Sequence, residues 1–202
     1  MRVAIIDVGA NTARLLVASA DGDEPSRAEE DRVQLGLGRE IEQSGRISDA
    51  KLAQAVEAAT AHVRRARALG CVAIETIVTS PGRQAENGAE LVDGLAAATS
   101  VPTRVLSSQE EAVLSWRGAV SGATELRDPV AVCDVGGGSA QITIGNLETG
   151  PSWVRSLDIG SLRLVDRAFE HDPPNAEDLV RAQRAIADAF EDLAPPLPRT
   201  AL

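Results

Sequence analysis

The chain contains an internal repeat. Residues 7–17, Asp-Val-Gly-Ala-Asn-Thr-Ala-Arg-Leu-Leu-Val, align without gaps to residues 134–144, Asp-Val-Gly-Gly-Gly-Ser-Ala-Gln-Ile-Thr-Ile, at an offset of 127. Asp, Val, Gly and Ala match outright, and Thr12/Ser139, Leu15/Ile142 and Val17/Ile144 match in kind. Each copy reads as strand, Asp, glycine-containing turn, hydroxyl residue, strand. A fold for this chain must therefore present the same strand–turn–strand unit twice.

The repeated unit suits phosphate chemistry. Glycines let backbone approach a ligand closely. Successive N–H groups make an anion-binding nest, and the Ser or Thr hydroxyl adds a donor. An Asp at the end of a buried strand repels phosphate unless a cation sits between them. Mg²⁺ (or Mn²⁺), held by one or two carboxylates with substrate phosphates and water, meets that need. Two such turns facing each other would clamp a phosphate chain. The plainer alternative is two ordinary hairpins, which a single copy would not exclude but two aligned copies opened by Asp argue against.

Periodicity supplies the rest of the framework. Strands are expected at residues 3–7, 14–19 and 28–35, with a hairpin turn at Asp21-Gly22. Ser48 caps a helix running to Leu69 and stopped by Gly70, with Leu52, Val56, Ala59, Val63 and Ala66 on one face. Residues 71–79 read as β, 85–99 as helix and 101–106 as strand. Ser107 or Ser108 caps a helix to Val120. Strands follow at 129–134, 141–145 and 153–157, and helices at 161–169 and 176–193. The last places Leu179, Ala182, Ile186, Phe190 and Leu193 on one face. Strands alternating with helices imply an α/β or mixed sheet. The expected domains are 1–125 and 126–193, with a Pro-rich tail at 194–202.

Composition removes several function classes. The 202 residues carry a net charge of −10, which argues against DNA or RNA as a partner. The four aromatics, Trp116, Trp153, Phe169 and Phe190, make no base-stacking platform. No apolar run approaches the ~20 residues of a membrane span. The lone lysine, Lys51, is not in a P-loop, and His62 and His171 lack metal-ligand spacing, which excludes a P-loop NTPase and makes a zinc hydrolase a poor fit. Cys71 and Cys133 lie in apolar runs and are expected in the core as reduced thiols of a cytoplasmic protein. His62 is expected on the solvated side of its helix and His171 in a loop.

Five blocks carry a resemblance to a known family. They are Asp7, Gly9, Asn11, Thr12, Arg14 and Leu15; Thr79, Ser80, Arg83, Ala85 and Asn87; Ser107, Glu110, Glu111, Ala112 and Leu114; Asp134, Gly136, Gly137, Gly138 and Ser139; and Gly160, Arg163 and Leu164. In this order they resemble the exopolyphosphatase / guanosine pentaphosphate phosphohydrolase family, of the actin, sugar kinase and heat-shock chaperone superfamily. The resemblance implies an actin-like (ribonuclease H-like) α/β fold with a complete first lobe and a partial second lobe. It implies hydrolysis of a terminal phosphoanhydride of polyphosphate or guanosine pentaphosphate, with orthophosphate released. A homodimer is compatible with it.

The resemblance also distributes roles. Glu111 is implied as general base, although Ser107-x-x-Glu110 and Ser108-x-x-Glu111 also read as capping boxes. Asp7 and Asp134 are implied as metal ligands. Gly136, Gly137, Gly138 and Ser139 form the phosphate nest, with Asn11 and Thr12 as further donors. Arg83, read in a loop before a helix, would fork onto phosphate. Arg14 would reach the ligand or pair with a neighbouring acid. Two departures stand out: Gln141 replaces the Glu expected there, and the second lobe stops short. Both keep a rival reading open, a binder of polyphosphate or a guanosine alarmone that does not turn it over.

Overall fold

A computed structural model describes residues 1–19, 26–191 and 193. The expected turn at Asp21-Gly22 and the tail at 194–202 lie outside them. By packing, the chain divides into two units, Met1–Ser107 and Ser108–Leu202. The expected lobes divide further on, at 125/126. The structural division is earlier because the helix at Ser108–Ser121 packs on the strands that follow it.

The first unit is built on a five-stranded mixed sheet, in the order β3-β2-β1-β4-β5. Its strands are β1 (Arg2–Val8), β2 (Thr12–Ser19), β3 (Ser26–Gln34), β4 (Ala73–Val78) and β5 (Thr103–Val105). The first three are antiparallel, whereas β1–β4 and β4–β5 run parallel. Side chains alternate across a strand. One sheet face is therefore a buried row, with Ala4, Ile6 and Val8 of β1 beside Val17, Leu15 and Ala13 of β2 and Thr76 and Val78 of β4. The helices are α1 (Leu37–Ser44), α2 (Asp49–Ala68), α3 (Ser80–Gln84) and α4 (Gly88–Thr99).

Helix α2 begins as expected, with the Ser48 side chain accepting from the Lys51 amide. It ends in a left-handed Gly70 (φ +74°), and Cys71 N–H donates back to the Ala66 carbonyl. The reading of His62 needs correction. It is 1% exposed, with Nε2 3.3 Å from the Ala13 carbonyl and Nδ1 3.7 Å from Asp31. It faces the sheet because α2 buries a stripe wide enough to hold Ala55, Ala58 and His62 besides Ala59, Val63 and Ala66.

The single helix expected at 85–99 is also corrected. It is α4, which starts three residues later at Gly88, and a short helix not expected from the sequence, α3, precedes it, with Ala85, Glu86 and Asn87 between the two. Asn87 is buried and holds that break, because its amide accepts from Ile47 N–H and donates to Ile47 C=O, both at 2.9 Å. Gly88 then packs on the Gly82 carbonyl so closely that a Cβ would stand 2.6 Å from it. Helix α1 was not foreseen, since only Leu37 and Ile41 mark its buried side between two glycines.

The second unit has an antiparallel sheet of β6 (Val130–Val135), β7 (Ala140–Asn146) and β8 (Gly150–Leu157). Helix α5 (Ser108–Ser121) lies on it: Trp116 Nε1 donates to Val130 C=O at 3.1 Å, and Thr143 Oγ1 donates to Ala112 C=O at 3.3 Å. Helices α6 (Ser161–Ala168) and α7 (Ala176–Phe190) follow.

The expected core position of Cys133 is overturned, because Cys133 is exposed, whereas in the first unit Cys71 is half-buried and packs against the core. Ala131, Cys133 and Val135 alternate onto the face of β6 opposite to that of Asp134, whose side chain meets Ser115 of α5, and all three are exposed. Burial pushes the Cys71 thiol pKa up. In α7 the apolar stripe is also open: Leu179, Ile186 and Phe190 are exposed and only Ala182 is buried.

Candidate active site

The repeat seen in the sequence is a repeat in structure. Asp7 pairs with Arg14 and Val8 with Ala13 across β1–β2, and Asp134 pairs with Gln141 and Val135 with Ala140 across β6–β7. The offset of 127 holds at every pair. Each turn is closed by the same bond, Gly9 N–H to Thr12 C=O and Gly136 N–H to Ser139 C=O, both at 2.9 Å.

In the first unit, Asp7 is the penultimate residue of β1, beside this turn. Gly9 packs against Thr79, where a Cβ would meet Thr79 Oγ1 at 3.5 Å. Thr79 N–H donates to Val8 C=O, which brings the Thr79-Ser80 block to the turn. Arg83 is not in a loop, as expected, but in α3, with Nη1 donating to Leu106 C=O at 2.7 Å. Asn11 accepts from the Gln34 side chain. Thr12 opens β2. Arg14 pairs with Glu30 of the neighbouring strand at 3.0 Å, the second of its two expected alternatives.

In the second unit, α5 and β6 converge on Asp134. The Ser115 hydroxyl donates to Asp134 Oδ2. Glu111 stands one helical turn before Ser115, so the two share a side of α5. Gly136, Gly137 and Gly138 follow directly, and Ser139 is 3% exposed. Among the described residues, the Gly137 and Gly138 amides donate to no backbone carbonyl. The unit thus gathers a candidate base, a carboxylate with a fixed orientation and backbone donors of the kind an anion needs.

Gln141 is 2% exposed. Its Nε2 donates to Ser139 Oγ at 3.0 Å and to Ser156 Oγ at 3.4 Å. It is also the cross-strand partner of Asp134. A Glu at this position would put a second carboxylate directly opposite the first, and such like charges repel unless a cation lies between them. The amide removes that repulsion and turns an acceptor into a donor toward Ser139. Sequence reasoning missed Ser115 and Ser156. Helical spacing from Glu111 signals the first, whereas only the strand register reveals the second.

The donor set bears on a metal. Asp7 has other interactions, but its Oδ1 atom is buried and receives no hydrogen bond from the described residues. Asp7 in the first unit and Asp134 in the second occupy equivalent register positions, and each is a hard oxygen donor of the kind that suits Mg²⁺ bound largely by phosphate oxygens and water. Among the described residues no cluster of three or more His, Cys, Asp or Glu side chains makes an all-protein cage.

The Ppx/GppA phosphatase family profile matches residues 16–200. The chain belongs to the Ppx/GppA phosphatase family. Exopolyphosphatase 2 of Mycobacterium tuberculosis is 32% identical over an alignment of 200 positions that covers 94% of this chain and 62% of that protein. A crystal structure of an exopolyphosphatase from Cytophaga hutchinsonii superposes with a TM-score of 0.84 at 28% identity, over 94% of this chain and 61% of that one. The Ppx-GppA enzyme of Aquifex aeolicus, at 24% identity and a TM-score of 0.77, shares the fold over 98% of this chain and 66% of its own. The actin-like α/β class expected from the sequence is therefore the observed one. The chain spans about three fifths of the length of these relatives.

Proposed function

We propose that this chain acts in hydrolysis of the terminal phosphoanhydride bond of inorganic polyphosphate, releasing orthophosphate, with guanosine pentaphosphate as the second substrate to test. The observation that carries the reading is the second unit's cluster. Glu111 and Ser115 share a side of α5, Ser115 orients Asp134, and the glycine turn leads on from Asp134. Membership of the Ppx/GppA family and similarity to named exopolyphosphatases support it.

The proposed chemistry is one displacement. Water attacks the terminal phosphorus and passes a proton to Glu111. The bridging P–O bond breaks, and its electrons leave with the shortened chain. The Gly137 and Gly138 amides and the Ser139 hydroxyl hold the phosphoryl oxygens. In the second unit Asp134 is the residue that would hold Mg²⁺, which would neutralise phosphate charge, and in the first unit Asp7 is the equivalent carboxylate. In the first unit Arg83 is the proposed cation for the transferred group. Phosphoryl transfer needs little more than positioning and charge stabilisation.

Orthophosphate release from long polyphosphate and from guanosine pentaphosphate, with Mg²⁺, tests the reading. Glu111→Gln is expected to lower release by about 10²–10⁴ while binding persists. Unchanged release would remove Glu111 as the base. A second reading, a non-hydrolytic binder, is favoured by one observation: Gln141 presents an amide where the resemblance leads one to expect a carboxylate. Binding without release by the wild type would select it.

A further inference from the structure

The glycine turn of the second unit is held from one side by α6. Ser161 N–H donates to Gly136 C=O at 2.8 Å, and the Ser161 hydroxyl reaches the same oxygen at 3.2 Å. Leu162 and Arg163 N–H both donate to Gly137 C=O, at 3.1 and 3.3 Å. The first-turn amides of α6, which a helix leaves without intrahelical acceptors, are thus committed to two carbonyls of the turn. Gly160, which precedes the helix, makes this contact sterically possible. A Cβ there would stand 2.4 Å from the Gly137 carbonyl carbon and oxygen and 2.6 Å from Gly138 N. No side chain fits that space, and the atoms in the way are backbone.

The first unit repeats the device. Its turn carbonyls are also taken by the segment that starts the helix after the third strand. Gly38 N–H donates to Ala10 C=O at 2.8 Å, and Leu35 and Gly36 N–H to Asn11 C=O at 2.7 and 3.0 Å. In each case a hydrogen-bonded carbonyl is an acceptor that cannot turn toward an anion. The peptide groups are thereby fixed so that the turn offers N–H groups, as in an anion nest.

We infer that Gly160 and the first turn of α6 are the positioning element of the phosphate-binding turn, which locks the Gly136 and Gly137 carbonyls away from the ligand. This rests on the phosphate-binding reading of that turn. Neither Gly160 nor Ser161 need touch substrate. The substrate class that depends on the lock is any phosphate chain bound through its terminal group.

The test measures binding of tripolyphosphate with Mg²⁺ to the 202-residue chain by calorimetry. It also follows ¹H–¹⁵N shifts and amide exchange of the wild type. Gly160→Ala is expected to weaken binding tenfold or more, because it moves donors to a charged ligand. Gly118→Ala, on an open surface of α5, is expected to leave binding unchanged. In the wild type, the Gly137 and Gly138 amide signals should shift on titration, while the Ser161, Leu162 and Arg163 amides stay protected from exchange and keep their shifts.

A wild type that does not bind tripolyphosphate overturns the phosphate reading, and the inference falls with it. A wild type that binds while a folded Gly160→Ala binds equally well overturns the inference alone. If Gly160→Ala does not fold, the wild-type spectra decide. Rapid exchange at Ser161–Arg163, or shifts there as large as at Gly137 and Gly138, would sink the lock. Protection with shifts confined to the glycines would uphold it.

Discussion

Asn87 and Thr76 are both buried polar side chains of the first unit, and their hydrogen bonding sets them apart. Asn87 satisfies both backbone groups of Ile47. Thr76 is 0% exposed, and its Oγ1 has no hydrogen-bond partner among the described residues. Asn87→Ala should leave a buried N–H and C=O unpaired and cost about 3 kcal/mol, since each orphaned group costs ~1–3. Thr76→Val deletes a hydroxyl that gains nothing and should stabilise by roughly 1 kcal/mol. Urea unfolding of both variants checks the pair. A neutral Asn87→Ala or a destabilised Thr76→Val would contradict the assignment. Neither environment was legible in the sequence. Asn87 stood out there only as a member of a family block, and its clasp on Ile47 joins residues forty positions apart.

Helix α7 shows how local and tertiary physics divide an element. Its start is local: the Asn175 side chain accepts from Asp178 N–H, and the Asp178 carboxylate accepts from Asn175 N–H, a complete capping box. The Asp178 carboxylate also meets Arg181 and His171 and accepts from Glu170 N–H. Burial alone would raise its pKa. The backbone bonds from Asn175 and Glu170 and the nearby His171 outweigh that and hold it below the ordinary carboxylate range. A depressed carboxylate contributes stability above its unfolded pKa and loses it as pH falls through the folded value. Stability should therefore drop as the pH is lowered below about 4, and Asp178→Asn should flatten that dependence. Equal pH profiles for the two proteins in urea titrations would rule the carboxylate out as the cause. The far side of α7 was legible as a stripe of Leu179, Ala182, Ile186 and Phe190, but its exposure was not. Periodicity identifies an apolar face without saying what covers it.

For the whole molecule, charge is the deciding quantity. A chain of net −10 repels a polyphosphate at long range. Binding then depends on local donors and on a divalent cation. Removing Mg²⁺ with a chelator should weaken tripolyphosphate binding at least about tenfold. Affinity indifferent to chelation would contradict the proposed role of a divalent cation in binding. No helix of the described residues is long and apolar enough to cross a membrane, which agrees with the hydropathy reading.

The amino-acid sequence by itself determined the duplicated strand–turn–strand unit, most strands, the Ser48 and Gly70 limits of α2, the mixed α/β class and the residues of both repeated turns. These follow from local rules: side-chain period, capping and the conformational freedom of glycine. Only the tertiary structure decided that His62 is buried, that Cys133 is exposed on an open sheet face, and that Ser115 and Ser156 stand beside Asp134 and Gln141. It also showed that the first turn of α6 grips the glycine turn twenty-odd residues away. Those outcomes depend on which chain segments meet in space. Hydrogen bonding and burial between distant residues are set by that meeting, and no window of sequence contains it.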